Sequence, residues 1–351
     1  MKKVTQKDIA EALNVSRTTV ARALNDSGPV DPQTKKMVLK KAKEFGYEMN
    51  PIAKTLAMKK NINIHVFLIE SYNKNLSKKI KMGLNSIENE FSFFNINMHI
   101  NTTKAENPNK QIDLIKKILK NEDSVDGIIM TPAIIGNNHS SFDKLIKGIN
   151  IPIITVNLDL PASERLSYVG PDYKKGGAIA AETMANYMAK KGKIAVLSSE
   201  FHYESNDERL SGFMERIKKY SKIEIVAKET IFEIEDNYIY SKKIINNHKD
   251  IDAIYTTTDI SYVNEAIREL KYKDTVLIGN DLTPKIKKLI EKGEVNASIH
   301  QRPFFQGYLA GKSLFHKIIN NKEPKKSLLY TGFDIACQEN LKLDEINNLI
   351  I

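Results

Sequence analysis

The residues whose types and spacing point most directly to chemistry lie between Val15 and Asn25, in the run V-S-R-T-T-V-A-R-A-L-N. Ser16 carries a side chain suited to capping a helix N-terminus. On that helix Val20 and Leu24 fall four apart on one face, while Arg17, Thr18 and Arg22 point the other way. An arginine fork can bond O6 and N7 of guanine together, a contact that discriminates between bases by about 1–3 kcal/mol. The same two arginines could instead clamp phosphates or form surface ion pairs, and Thr18 reads sequence weakly whichever way it faces. Thr5, Ser16, Thr19 and Asn25 suit phosphate contacts, which position a helix without selecting a sequence.

These residues need elements to hold them. Thr5 to Leu13 reads as a short helix: Thr5 caps it, Asp8 stands three residues on, and Ile9, Ala10 and Leu13 form its apolar stripe. Only Asn14-Val15 separates it from the next helix, so the two must cross steeply. Two helices on so tight a turn make a helix-turn-helix, which presents its second helix to the major groove of DNA. Asp31 caps a third helix with Pro32 at its first position and Gly46 past its end. Met37, Val38, Ala42 and Phe45 are expected to form its inward face. In residues 47–61, Asn50-Pro51 opens I-A-K-T-L-A-M-K-K, a stretch too short to be a stable helix alone in water. Such a segment orders on a partner.

Charge fits either a nucleic-acid partner at this end or a solvated Lys-rich surface. The 351-residue chain has a formal net charge of +10, and residues 1–60 hold 13 Lys+Arg against 6 Asp+Glu. The length suggests two or three domains. Cys337 is the single cysteine, which leaves no disulfide framework and no thiolate metal site. The N-terminus lacks an apolar signal core and no run of about 18 apolar residues occurs, so a cytosolic protein is expected. No G-x-G-x-x-G follows a strand, and neither a G-x-S-x-G elbow nor a P-loop is present. The seven His are scattered without metal-ligand spacing. Neither an enzyme nor a cofactor or metal is indicated.

From Ile62 the pattern alternates. Apolar runs at 63–69, 95–100, 126–130, 151–157, 193–198, 223–228, 253–257, 275–278 and 297–300 read as strands. Amphipathic stretches at 76–90, 111–121, 174–191, 208–220, 261–270 and 304–320 read as helices. Parallel sheets covered on both faces follow, in two doubly wound lobes whose ligands sit at strand carboxyl ends.

The segment V-T-Q-K-D-I-A-E-A-L-N-V-S-R-T-T-V-A-R-A-L-N, with G-Y-E-M-N-P-I-A-K-T-L behind it, resembles the lactose-repressor (LacI) family of bacterial transcription regulators. The rest resembles that family's periplasmic-binding-protein-like sensor through V-D-G-I-I, V-G-P-D-Y-K-K-G-G, D-E-R-L-S-G-F, I-G-N-D and S-I-H-Q-R-P-F-F-Q-G. The resemblance implies an all-α helix-turn-helix headpiece (1–47), a hinge helix or linker (48–61) and an α/β sensor of two doubly wound lobes (62–351). Crossovers between lobes are expected near 158–165, 280–300 and 322–332. By resemblance Arg17, Thr18 and Arg22 reach base edges, and residues 51–58 form a hinge helix in the minor groove. There Leu56 wedges a base step, Ala53 lets the helix sit deep, and Lys54 stands where the family usually has Arg. Ala21 replaces a frequent Ser.

In the sensor, the positions matching the family's effector site are Arg209, Asp281 and Gln301. Asp172 adds a carboxylate or merely caps a helix. Thr258-Asp259 stands where sugar-binding relatives place Asn-Asp, and Tyr72 or Tyr203 substitutes for a missing aromatic pair. The resemblance implies a homodimer on a pseudo-palindromic operator, repressing carbohydrate uptake or catabolism genes under a sugar or sugar-phosphate effector. Control by a phosphocarrier-type protein partner is the alternative.

Overall fold

The computed structural model describes residues 4–25, 28–47, 61–70, 74–120, 125–134, 139–199, 204–233, 235–272 and 274–341. The N-terminal unit holds three helices, α1 (Gln6–Leu13), α2 (Arg17–Asn25) and α3 (Pro32–Glu44). Thr5 and Asp8 form a reciprocal capping box: the Thr5 amide and hydroxyl donate to Asp8 Oδ2 at 2.6 and 2.7 Å, and the Asp8 amide returns to Thr5 Oγ1 at 3.4 Å. Asn14 ends α1 in the left-handed region, at φ 52°, and turns the chain into α2. The Thr19 amide then donates to Ser16 Oγ at 3.0 Å.

Ile9, Val20, Ala23 and Val38 are buried at the centre of this unit, with Ala10 and Ala42 beside them. Val38 and Ala42 do form the inward face of α3. Met37 and Phe45 do not, being 53% and 39% exposed. Met37 lies a quarter-turn round from Val38. Phe45 is the C-cap residue, already past the helix, and its ring lies under the Lys41 ammonium.

Two six-stranded sheets follow. In chain order the strands are β1 (Ile62–Glu70), β2 (Ile96–Lys104), β3 (Gly127–Met130), β4 (Ile153–Val156), β5 (Ser167–Gly170), β6 (Lys191–Ser199), β7 (Lys222–Ile231), β8 (Ala253–Thr256), β9 (Val276–Asn280), β10 (Ala297–His300), β11 (Leu328–Tyr330) and β12 (Asp334–Ala336). The first sheet, ordered β11-β5-β4-β3-β1-β2, is parallel throughout. The second is ordered β12-β10-β9-β8-β6-β7 and is parallel except for β12, which runs against β10. Each sheet has an apolar core on both faces, the arrangement that continuous Val/Ile/Leu runs dictate.

Among the described residues the chain passes between the sheets three times: after Gly170, at 301–302 and at 331–333. The first passage comes later than the expected 158–165, because Ser167–Gly170 adds a fifth parallel strand to the first sheet. The second comes after the expected 280–300, because β9 and β10 both belong to the second sheet. The third lies at the end of the expected 322–332, after β11 has paired with β5.

Each of the first two passages leads into a long helix. After Gly170 comes α7 (Tyr173–Tyr187), which packs on α8 (Glu204–Ile217) of the second lobe. After 302 comes α12 (Pro303–Asn320), which packs on α4 (Lys74–Glu90) of the first. Both pairs interlock through reciprocal glycines. A Cβ added to Gly177 would stand 1.9 Å from the Arg209 carbonyl oxygen, and one on Gly212 1.8 Å from that of Lys174. Gly83 and Gly307 do the same, at 2.0 Å from Phe304 O and 2.1 Å from Ile80 O. Only glycine lets the two backbones come this close.

Candidate functional site

The outward face of α2 carries Arg17, Thr18 and Arg22, all exposed beside exposed Ser16 and Thr5. Thr19 and Asn25 are half-buried at its flank. Ser16 and Thr19 share a hydroxyl–hydroxyl bond of 2.8 Å, so the start of α2 is fixed before any ligand arrives. Buried Val20 and Ala23 key the opposite face into the three-helix core, which leaves the two guanidiniums no direction but solvent. Ala53, Lys54 and Leu56 lie outside the described residues, as do Tyr72 and Tyr203.

The second constellation lies where the chain passes between the lobes. Arg209, on α8, is buried, and its guanidinium carbon sits 4.8 Å from the centroid of the Tyr173 ring. One of its terminal nitrogens is 3.9 Å from Asp281 Oδ1, with the two side chains 6% and 13% exposed. Gln301 donates from Nε2 to the same Asp281 oxygen at 2.7 Å. Asn157, following β4 of the first lobe, donates from Nδ2 to Gln301 Oε1 at 3.0 Å and to Gln306 Oε1 at 3.2 Å. The hydroxyls of Tyr168 and Tyr173 both donate to the Asn157 carbonyl, at 2.9 and 3.0 Å. A continuous polar relay therefore runs from Arg209 of the second lobe, through Asp281 and Gln301, to Asn157 of the first.

Backbone and electrostatics reinforce the relay. Asn157, Asp281 and Arg302 adopt left-handed φ values of 69°, 64° and 52°. Conformations of this kind cost about 1–3 kcal/mol each and persist where surrounding structure over-determines them, characteristically at functional sites. Burial pushes the Tyr173 phenol well above its usual range, so it stays a neutral hydrogen-bond donor. An arginine held over an aromatic face, a carboxylate and two carboxamides suit a polyhydroxylated ligand: the charged groups take adjacent hydroxyls and the ring takes a C–H face.

Arg209, Asp281 and Gln301 are thus brought together. Asp172 caps α7, its Oδ1 accepting from the Lys175 amide at 2.9 Å. The Thr258 hydroxyl is engaged by Asn237, at 2.8 Å, and by Thr256, at 3.0 Å, in a separate buried network of the second lobe. Sequence reasoning missed Asn157, Tyr173 and Gln306. Asn157 could have been found from its place at a strand's carboxyl end, and Tyr173 from standing beside the glycines of Y-K-K-G-G. Among the described residues no group of three or more metal-ligating side chains gathers, and no helix is long and apolar enough to cross a membrane.

A basic helix-turn-helix with outward arginines, joined to a two-lobed α/β body with a buried polar relay between its lobes, defines a DNA-binding regulator of the sensor-bearing kind. Residues 5–50 match the lacI family of bacterial regulatory proteins, and residues 66–323 match the periplasmic binding protein domain. The chain belongs to the lacI family, with a periplasmic-binding-protein-like body. It is 22% identical to catabolite control protein A of Staphylococcus epidermidis over 336 residues, covering 91% of this chain and 94% of that one. It is 25% identical to the ribose operon repressor of Bacillus subtilis, covering 80% and 82%. A 33% match to the probable transcriptional repressor ExuR of B. subtilis spans 60% of this chain and 59% of that protein. Among solved structures, a putative LacI transcriptional regulator from Bacteroides fragilis shares the fold with a TM-score of 0.69 at 19% identity, covering 81% of this chain and 99% of that one.

Proposed function

We propose that this chain is a cytosolic repressor of carbohydrate uptake or catabolism genes, governed by a small sugar-like effector bound between its lobes. It works by binding, without catalysis. Arg17, Thr18 and Arg22 read base edges in the major groove, while Thr5, Ser16, Thr19 and Asn25 hold phosphates. Ala53, Lys54 and Leu56 serve the minor groove. Two copies bind a pseudo-palindromic operator, because one helix reads too few bases and operator symmetry mirrors protein symmetry. The effector is held by Arg209, Asp281 and Gln301, with Asn157 joining from the other lobe.

The observation that carries this reading is the convergence of Arg209, Asp281 and Gln301, from three separate stretches of sequence, on one buried relay. In the structure these groups satisfy one another. A ligand with several hydroxyls can take over those bonds, and the redistribution between lobes is its means of shifting their equilibrium. The relatives named as catabolite control protein and ribose operon repressor support the carbohydrate assignment.

The test has two stages. Operator fragments are selected from random DNA with the full chain. Thermal melting is then screened against neutral sugars, sugar phosphates and sugar acids, followed by operator binding with each hit. The account expects one sugar class to raise the melting temperature and change operator affinity. No shift with any small molecule, together with operator binding that needs a protein from cell extract, would replace the pocket ligand by a partner protein.

A further inference from the structure

A second inter-lobe contact lies on the hinge side, apart from the Arg209 relay. Arg302 Nε donates to both carboxylate oxygens of Asp334 at 2.9 Å, and its Nη2 donates to Oδ1 as well. Arg302 immediately precedes α12, which packs on α4 of the first lobe. Its neighbour Gln301 bonds both Asn157 of the first lobe and Asp281 of the second, and the Gln306 side chain of α12 closes back on the Gln301 carbonyl at 2.8 Å. Asp334 opens β12, whose partner is β10 of the second sheet, with Asp334 opposite His300. The ion pair therefore joins the start of a helix packed on the first lobe to a strand of the second.

The passages around it are sewn together more weakly. The Thr331 amide donates to the Gly170 carbonyl at 3.0 Å and its hydroxyl to the Gln301 carbonyl at 3.4 Å, linking all three. Phe333 seats its ring against Gly176 of α7, where an added Cβ would stand 2.7 Å from the ring tip. The Arg302–Asp334 fork is bidentate and directional, so rotating α12 together with the first lobe against β12 would break or re-aim it.

We propose that Arg302 and Asp334 form an electrostatic staple that holds the lobes in their present setting and so governs how readily they close. The inference deepens the reading in which lobe movement controls the protein. With side chains 40% and 46% exposed, the pair remains open to salt, so ionic strength acts on the staple directly.

The experiment uses the full chain with Cys337→Ser, and spin labels on cysteines placed at Asn89 and Lys219, exposed positions in the first and second lobes. Interlabel distance distributions are measured by pulsed electron resonance without DNA or sugar. The proposal expects a narrow distribution that shifts or widens to the same extent with Arg302→Gln and with Asp334→Asn. The two changes together add nothing further, and the exchanged pair, Arg302→Asp with Asp334→Arg, restores the original. Raising the salt from low to high on the unsubstituted pair reproduces the widening, a readout that needs no substitution to fold. Distributions unchanged by either substitution and by salt overturn the staple. Because neither effector nor operator is present, that outcome leaves the regulatory reading standing. A chain that ignores every sugar in the melting screen would overturn the regulatory reading without altering these distances.

Discussion

Asp281 meets three demands at once. Its Oδ1 accepts from Gln301 and faces Arg209, its carbonyl accepts the Ser298 hydroxyl, and its backbone sits in the left-handed region. Asp281→Ala removes the buried carboxylate that faces the Arg209 guanidinium and accepts from Gln301, and breaking a buried pair of this kind from one side costs about 3–5 kcal/mol. Urea unfolding of the body is expected to move by that order, whereas Asp281→Asn retains an acceptor for Gln301 and tolerates the backbone conformation, so it should cost clearly less. Equal losses from the two would contradict the assigned role of the carboxylate. Arg22 presents the opposite case. It is exposed, so Arg22→Ala should alter stability by less than about 0.5 kcal/mol. Its affinity for the selected operator should nevertheless fall by the equivalent of about 1–3 kcal/mol, read by fluorescence anisotropy, with binding to random DNA changed far less. At this scale Arg209, Asp281 and Gln301, which the structure brings together, were picked out through the family resemblance. Asn157 was not, because a carboxamide after an apolar strand looks like any turn residue until Gln301 is seen to meet it across 144 positions of sequence.

Among the elements, the paired glycines explain what the V-G-P-D-Y-K-K-G-G and D-E-R-L-S-G-F motifs accomplish. Gly177 and Gly212 bring α7 and α8 together at their backbones, which places Arg209 over the ring of Tyr173. Gly177→Ala must push α8 away, at a cost of about 1–3 kcal/mol for overpacking. Loss of the melting shift given by the sugar should accompany that destabilisation, while operator binding by the headpiece persists. A variant that keeps the full sugar shift would contradict this account of Arg209. Element reading from sequence was sound for the long, strongly patterned segments. It missed β11 and β12, three-residue edge strands with half-exposed side chains, and β5, whose S-Y-V-G lacks the apolar run that marked the equally short β3, β4 and β8. It did not single out the helices His139–Ile146, Asp236–Asn247 and Pro284–Glu291, of which the first and last are eight residues long. Missing β5 displaced the expected first passage between lobes.

The whole molecule carries two kinds of chemistry. Its N-terminal sixth holds most of the excess positive charge, and its body holds a buried polar relay between two sheets. The division was legible because helical and strand periodicities switch at Ile62. Tertiary facts were not, since the two lobes are each assembled from separated stretches. In the proposed function the halves are linked by an equilibrium, for which a coupling of about 1–3 kcal/mol suffices to regulate a promoter. The most direct measurement is a competition titration of the full chain between its selected operator and random DNA, at physiological salt, with and without the sugar that raises its melting temperature. The account predicts a preference for operator of at least about 1,000-fold, and a change in that preference of about five-fold or more when the sugar is added. Equal affinity for both DNAs, or a preference the sugar leaves untouched, would contradict it.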